Sequence, residues 1–552
     1  MADGRNYVDS IHNFMYNLIT MNILQSEKAQ KGLDLALKIC VGIAALFALL
    51  LTFTVSDYYI FNRMGYGAGQ YDVFFCLSQW FKKAGLILLL LAVFFKSKSC
   101  AQVVKYFLPV FVILSCALFG GFFDASPVAN STNEEIFNSV NLFFPKWLNM
   151  TLFFAQNALY LACCGMLFLK DGYKVAKRSP ISLALAVVAA TPLNIFENFF
   201  DAEKFRGTFL WFKNFTVWHL LAILILIAVT VGLYNFLKNK PRETQDKYLA
   251  AIAITLLLQY HSKDSVVLGD GYNVYRTIFA CLPLFICNIG VYVASISVLV
   301  KKKVLYAISF FVHAIGALTV FVYFGKDDMS NYGIFCSYSI LYFCLTHCLL
   351  FALCVLPSAL KHYTFKIKDC IIPLVYYFIV IIIASIASTL VSDASTKWVA
   401  SDGSHLIYDG VYIQGLENGL AFMKPNFAFT QTNPLPFDVP NLIPLGGAFK
   451  HINLFYVLLV YIAYVCLFFA FYGLYRAYLP VYSKVMGAIA ARRAARISSA
   501  EAPVSDGEAT LEAAVTEDEN AEDQADEAVA ADGGQDENEA EADEEKATEK
   551  QS

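Results

Sequence analysis

Two residue types that can act together as a nucleophile and a base lie inside apolar runs of the second half of the sequence. Cys287, followed by Asn288, lies in LPLFICNIGV, and His347 lies in YFCLTHCLLF. At a rise of 1.5 Å per residue they lie roughly 14 and 16 Å from the outer ends of their helices, so they could meet if those helices are neighbours. An imidazole can take the thiol proton, and the thiolate can then attack an acyl carbonyl. The spacing alone equally allows a packing cysteine and a histidine that bonds to a neighbouring helix.

Three further residues are candidates for a site. His313, in FFVHAIGAL, lies between Cys287 and His347 in the sequence and either joins their site or packs in the core. Lys82 and Lys83, in an apolar run of the first half, either bind a lipid phosphate or extend to the membrane interface, and we favour the interface. The sequence holds no Walker A, GxGxxG, HExxH or CxxC element, so we expect no metal and no cofactor.

The elements that would position these residues are transmembrane helices. Hydrophobic residues form 58% of the chain and charged residues 16%, with a mean hydropathy of +0.54, which is far from the composition of soluble domains. The apolar residues occur in runs of about 20, the length that crosses a bilayer as a helix. We therefore predict an all-α, polytopic transmembrane bundle. Its twelve segments are 36–55, 78–96, 104–123, 148–169, 181–197, 215–237, 246–262, 278–300, 304–324, 336–357, 370–391 and 452–475.

Charge predicts the orientation of the chain and two regions outside the membrane. Lysines and arginines are concentrated in the loops that follow even-numbered segments, which places both termini in the cytoplasm. We predict that residues 1–35 form an N-terminal interfacial segment and that residues 392–449 form a long extracytoplasmic loop. Residues 481–552 begin with a basic juxtamembrane stretch, and from Glu501 onward hold 20 acidic residues against two lysines. Such a tail cannot bury enough apolar surface to fold, so we expect it to be disordered and available to a cytoplasmic partner.

Aligned segments of the sequence predict an internal repeat at a spacing of about 205 residues. FFCLSQWFKKAGL, from Phe74, aligns with FACLPLFICNIGV, from Phe279, and the basic turn at Lys96 aligns with the one at Lys301. After a shorter loop in the second copy, FFAQNALYLACC aligns with YFCLTHCLLFAL. These alignments divide the membrane part into a first repeat, 36–240, and a second repeat, 241–480, related by an axis along the membrane normal.

The second repeat resembles the YwaF-like integral membrane family, which includes the animal transmembrane protein 164 branch. The similarity runs through Leu282 to Cys287, the basic turn Lys301 to Lys303, the helix containing Gly316-Ala317-Leu318, and Phe343 to His347. The animal branch is associated with acyl transfer onto ether phospholipids. The resemblance therefore implies that Cys287 is an acyl-accepting nucleophile and that His347 is its base. The first repeat carries Lys82 and Ala158 at these two positions, and so lacks both groups.

Three functions remain open at this point. The first is a YwaF-like phospholipid acyltransferase that uses Cys287 and His347, with Asn288 and His313 in support. The second is a transporter or lipid-handling protein built from two six-helix halves. The third is a non-catalytic scaffold whose acidic tail recruits cytoplasmic partners. All three predict membrane lipids as partners and none predicts nucleic acid.

Overall fold

The computed structural model confirms the all-α class. It describes residues 27–52, 70–120, 146–172, 175, 177–193, 202–205, 207–269, 286–322, 334–335, 337–395, 442–443 and 454–500. Within these residues the regular structure is helical, and seven helices are long and apolar enough to cross a membrane. Most of the predicted interfacial segment and long loop, and the whole acidic tail, lie outside the described residues. Residues 481–552 form a unit of their own, in which 481–500 are described and helical.

Each of the twelve apolar segments corresponds to a helix. The helices are α1 Glu27–Thr52, α2 Gln70–Phe94, α3 Lys98–Ala117, α4 Lys146–Asp171, α5 Ser179–Ala189, α6 Val217–Leu237, α7 Arg242–Gly269, α8 Ile286–Val300, α9, α10 Tyr338–Ala359, α11 Ile371–Ser395 and α12 Leu454–Ala500. Helix α9 is a continuous run of Lys303–Ile308, a π-helical turn at Ser309–His313, and Ala314–Val322. Three of them, α5, α8 and α9, are apolar but shorter than the seven long spans.

Helices α1 to α5 pack together as a first bundle. Helix α1 contacts α2 and α4, α3 lies against α2 and α4, and α5 covers α2 and α3. Its core is mainly aliphatic and includes Leu86, Leu88, Val104 and Leu108, all fully or almost fully buried. Tyr160 is the largest side chain in this core.

Helices α6 to α12 form a second bundle with a different kind of core. Helix α7 contacts α8 and α10, and α9 lies against α8, α10 and α11. Helix α6 packs on α10 and α9, while α7 also touches α1 and α2 of the first bundle. This core is rich in aromatic rings: Phe310 contacts Phe311, Phe365 and Tyr475, and Phe311 contacts Phe468. The sixth helix of the chain therefore packs with the second bundle.

Four positions in left-handed backbone geometry mark the short turns of the two bundles. Lys96, between α2 and α3, has a φ of 51°, and Lys301, between α8 and α9, has a φ of 58°. Gly172, directly after α4, has a φ of 60°, and Lys361, shortly after α10, has a φ of 61°. A positive φ is uncommon for residues with a side chain, so the three lysines at these turns adopt an unusual backbone conformation.

Candidate functional site

Cys287 lies in the first described turn of α8 and is partly buried against the aromatic core of the second bundle. Its thiol donates to the side-chain oxygen of Asn288, with Sγ and Oδ1 3.7 Å apart. It also lies close enough to the buried hydroxyl of Tyr464, on α12, for the two groups to interact electrostatically. The Asn288 amide next to the predicted nucleophile can thus hydrogen-bond to a reacting group.

His313 is the side chain that connects α9 to the turn containing Cys287. It is fully buried, and its Nδ1 lies 2.8 Å from the carbonyl oxygen of Ile286. Its Nε2 lies 3.2 Å from the hydroxyl of Tyr376 on α11. A carbonyl only accepts, so Nδ1 carries the proton and Nε2 accepts from Tyr376 in the neutral ring. His313 therefore joins α8, α9 and α11 at the residue before Cys287.

Two features of the backbone allow His313 to reach this position. The first is the π-helical turn Ser309–His313, which rotates the ring relative to a regular α-helix. The second is Gly290, one turn after Cys287, where an added Cβ would come within 2.9 Å of the His313 ring. The Tyr464 hydroxyl supports the same region by donating to the carbonyl of Val312 at 3.2 Å. A bulge and a glycine thus bring two helix backbones close together next to the candidate nucleophile.

His347 lies in the middle of α10 and is also buried. Its Nδ1 donates to the carbonyl of Phe343 at 2.8 Å, one turn earlier in the same helix, so its Nε2 is the basic nitrogen. The ring lies against Phe343 at 4.1 Å between centroids and meets the edge of Phe321 at 6.4 Å. The hydrogen bond to the Phe343 carbonyl thus fixes the orientation of the His347 ring and leaves Nε2 as the nitrogen that can act as a base. Its pairing with Cys287 stays a prediction.

Three polar groups of this region could not be recognised from the sequence. Tyr376 and Tyr464 stand in aromatic runs of α11 and α12, where nothing separates them from packing residues. His219, on α6, bridges two elements, since Nδ1 accepts from the Phe215 amide at 2.9 Å and Nε2 donates to the Phe321 carbonyl at 2.8 Å. Only the tertiary contacts identify these side chains.

Lys82 lies inside the first bundle, with 4% of its surface exposed. Its Nζ is 3.2 Å from the Ser115 hydroxyl, 3.4 Å from the Gln79 side-chain oxygen, and 4.6 Å from the centre of the Phe153 ring. Lys83, the next residue of α2, is partly exposed. The two adjacent lysines therefore occupy different environments.

Comparison with known families adds evidence for the second bundle. Residues 212–471 match the TMEM164 family. The matched region starts just before α6 and ends within α12, so it contains Cys287, His313 and His347. It confirms the sequence resemblance for the second half of the chain, and together with the apolar helices it supports an integral, multi-pass membrane protein. No curated protein and no solved structure matches the chain.

The described part of the matched region holds no set of metal ligands. Nowhere in the described residues do three His, Cys, Asp or Glu side chains come together closely enough to bind a metal ion. The groups described around Cys287 are its own thiol, the Asn288 amide, and the His313 imidazole that binds the preceding carbonyl.

Proposed function

We propose that this protein is a membrane-embedded acyltransferase acting on phospholipids, with Cys287 as the nucleophile and His347 as the base. The observation that carries the proposal is the match to the TMEM164 family over the bundle in which Cys287 lies beside Asn288, Tyr464 and the helix joined by His313. A buried polar group in a membrane helix is costly, so a cluster of them around one thiol favours a chemical role.

The reaction would have two steps. First, His347 takes the thiol proton, and the sulfur of Cys287 attacks the ester carbonyl of a donor phospholipid. The ester C–O bond breaks, the lysophospholipid leaves as an alcohol with the proton from His347, and a thioester remains on Cys287. Second, His347 takes the hydroxyl proton of an acceptor lysophospholipid, whose oxygen attacks the thioester. The C–S bond breaks, and the proton returns to the thiolate.

His313 would act as a positioning residue in this reaction. Both of its ring nitrogens are occupied, by the Ile286 carbonyl and the Tyr376 hydroxyl, so it is not the base in this conformation. Its effect would be to fix the first turn of α8 and with it the direction of the Cys287 thiol. The side-chain NH2 of Asn288 would donate to the oxyanion that forms on the attacked carbonyl, while Tyr464 keeps its hydrogen bond to the Val312 carbonyl.

The test is an acyl-transfer assay on purified full-length protein in nanodiscs. The donor is a phosphatidylcholine with an isotopically labelled acyl chain, the acceptor is a lysophospholipid, and the labelled product is measured by mass spectrometry. We expect transfer by the wild-type protein and none by Cys287→Ala. The matched control is Cys354→Ala, which removes a fully buried thiol of α10 from the same core and should leave transfer unchanged.

A folded protein that transfers no acyl chain from any phospholipid donor would overturn the proposal. Equal loss in Cys287→Ala and Cys354→Ala would also contradict it, because it would assign the effect to core packing. Folding of each variant is checked by gel filtration and thermal unfolding.

We also infer that the two bundles are tandem copies of one unit. Gly85 on α2 approaches Leu108 on α3 in the same way that Gly290 on α8 approaches His313 on α9, and each partner is 205 residues from its counterpart. Lys96 and Lys301, the two left-handed turn residues, have the same spacing. Gly172 and Lys361 follow the second alignment, in which Phe153 matches Tyr342.

Helix packing supports the same duplication. The contacts of α1 with α2 and α4 correspond to those of α7 with α8 and α10. The contacts of α3 with α2, α4 and α5 correspond to those of α9 with α8, α10 and α11. Under this alignment Lys82 takes the place of Cys287, Leu108 that of His313 and Ala158 that of His347, so the first copy would have no acyl-transfer chemistry.

A further inference from the structure

A buried polar centre lies in the first bundle, where the proposed duplication leaves no acyl-transfer chemistry. It consists of Lys82 and Gln79 on α2, Ser115 on α3 and the ring of Phe153 on α4, and is called the Lys82 centre below. Gln79 Nε2 donates to the Ser115 hydroxyl at 2.9 Å, so that the two side chains form one hydrogen-bonded pair beneath the lysine ammonium. The centre is thus assembled by the three helices that enclose it.

The neighbours of Lys82 within the described residues are neutral or weakly polar groups. They are a hydroxyl, an amide oxygen and an aromatic face, with the Cys116 thiol nearby. Two of the three ammonium protons can be directed to Ser115 and Gln79, which leaves one N–H for another acceptor. A buried ammonium is stabilised chiefly by an anion, so these groups do not complete its surroundings.

A second buried lysine of the same bundle provides the contrast. Lys105 on α3 is fully buried, and its ammonium donates to the carbonyl of Gly172, directly after the last residue of α4. The C-terminal end of a helix carries partial negative charge, so Lys105 has a negative partner supplied by the protein. Lys82 lies in the middle of its helix, and within the described residues its hydrogen bonds go to the side chains of Gln79 and Ser115.

A buried side-chain oxygen near the Lys82 centre also suggests that the centre has room for a further polar partner. Asn157 on α4 is buried and donates its amide nitrogen to the Cys116 sulfur at 3.4 Å. Its side-chain oxygen is buried without a hydrogen-bond partner in the described part of the chain. A donor on Lys82 and an acceptor on Asn157 thus flank the Ser115–Cys116 pair of α3.

We propose that the Lys82 centre binds the acid group of an anionic lipid, either a carboxylate or a phosphate. The proposal rests on the inferred duplication, in which Lys82 takes the position of the residue that receives the acyl group in the other copy. The ammonium would pair with the acid oxygen, and the apolar side chains of Phe75, Cys76 and Leu152 beside the centre would contact the lipid chain. The first bundle would thereby hold a lipid without reacting with it.

The test is photo-crosslinking in the Cys287→Ala protein, so that acyl transfer cannot consume the probe. The first probe is a photoactivatable, clickable palmitate, and its methyl ester is the uncharged control. A second pair, photoactivatable phosphatidic acid and phosphatidylcholine, separates a headgroup phosphate from a free carboxylate. We expect at least one acid probe to label peptides of α2, α3 or α4 at least about tenfold more than its control.

Matched variants assign the labelling to the lysine. Lys82→Met removes the charge at nearly constant length and should reduce acid labelling to the level of the control probe. Lys82→Arg, which keeps the charge, should retain it, and Lys105→Met, which removes the other buried lysine, should leave it unchanged. If Lys82→Met does not fold, the same preference is tested in the protein that keeps Lys82. Unlabelled oleate should then reduce labelling by the acid probe more than methyl oleate does.

Equal labelling by acid and ester probes would overturn the proposal. Acid labelling that persists in a folded Lys82→Met protein, or labelling confined to α6 to α12, would also overturn it. All labelling is measured in protein that lacks the Cys287 thiol. A failure of acyl transfer in the separate assay therefore does not change the labelling result, and a failure of labelling does not change the acyl-transfer result.

Discussion

The first and second bundles each contain a close helix crossing at a glycine, and the side chain that approaches the glycine differs between them. In the first, Gly85 lets Leu108 approach α2, and in the second, Gly290 lets His313 approach α8. The aliphatic contact only packs two helices together. The imidazole contact also binds the Ile286 carbonyl, at the residue before Cys287, and the Tyr376 hydroxyl on α11. The identity of one side chain at each crossing thus decides whether the crossing only packs two helices together or also forms a polar site.

The comparison shows how one arrangement of helices can carry different chemistry. Each bundle contains a short turn with a left-handed lysine: Lys96 joins α2 to α3, and Lys301 joins α8 to α9. The aliphatic core of the first bundle contrasts with the aromatic and hydroxyl-rich core of the second. Since fold alone does not determine function, the assignment of acyl transfer depends on these side chains.

The largest expected effect comes from replacing His347 by alanine, the residue that the proposed duplication places at the equivalent position of the first bundle. His347→Ala, which copies Ala158, removes the proposed base and should lower kcat by about 10²- to 10⁴-fold. The labelled-donor assay measures this change. His219→Gln, which replaces a buried histidine of the neighbouring helix, is the control and should have a much smaller effect on kcat. A His347→Ala enzyme of full activity would remove the proposed chemical difference between the bundles.

A smaller effect is expected from His313→Leu, which copies Leu108. Loss of the bond to the Ile286 carbonyl leaves a buried acceptor and should lower the free energy of unfolding by about 1 to 3 kcal/mol. Because the Cys287 turn is then less well fixed, kcat should fall about tenfold, while KM changes little. Thermal unfolding and steady-state kinetics measure the two effects. Lower stability with unchanged kcat would show that His313 is only a packing residue.

The two glycines provide a paired test of the shared crossing. Gly290→Ala would place a Cβ about 2.9 Å from a ring that two hydrogen bonds hold in place. Gly85→Ala would place one 2.5 Å from the end of the Leu108 side chain, which can rotate away. We expect a loss of about 1 to 3 kcal/mol for Gly290→Ala and a smaller loss for Gly85→Ala, measured by thermal unfolding. A larger loss at Gly85 would contradict this description of the two crossings.

The smallest expected effect concerns pH and the end of the second bundle that holds the turn at Lys301. There the His362 side chain is 3% exposed, and it contacts Gln245 at 2.6 Å and Asp246 at 3.6 Å. Burial lowers the pKa of the His362 imidazole below its ordinary value, although the Asp246 carboxylate opposes the shift. The folded protein thus favours neutral His362, and this contribution to stability is present above about pH 6.5 and is lost as the pH falls through the lowered value.

Thermal unfolding between pH 5 and 8 measures this dependence. We expect the Tm of the wild-type protein to decrease as the pH falls. In His362→Gln this decrease should be smaller, by about 2 °C or less per pH unit. At the corresponding end of the first bundle, Asp34 and Lys170 form an exposed ion pair. Asp34→Asn is therefore the control and should leave the slope unchanged. An unaltered slope in His362→Gln would exclude His362 as its source.

The sequence predicted the helices well and the tertiary contacts poorly. Twelve apolar runs correspond to twelve helices because the length of an apolar run and the basic residues that flank it are local properties. The packing of α6 on α10, the π-helical turn before His313 and the burial of Lys82 depend on contacts between distant segments. Apolar helices offer little periodicity to indicate which face meets a neighbour, so Tyr376 and Tyr464 could not be separated from packing residues.

The most direct test of the difference between the bundles is to map the acylated cysteine. The wild-type protein is incubated with a clickable phosphatidylcholine, quenched in acid and digested, and the hydroxylamine-sensitive adduct is located by mass spectrometry. The chain contains 14 cysteines, so the mapping discriminates between sites. We predict a thioester on Cys287 that is absent from Cys287→Ala and accumulates more slowly in His347→Ala. An adduct on Cys116 or Cys163 of the first bundle, or none on a folded protein, would contradict the account.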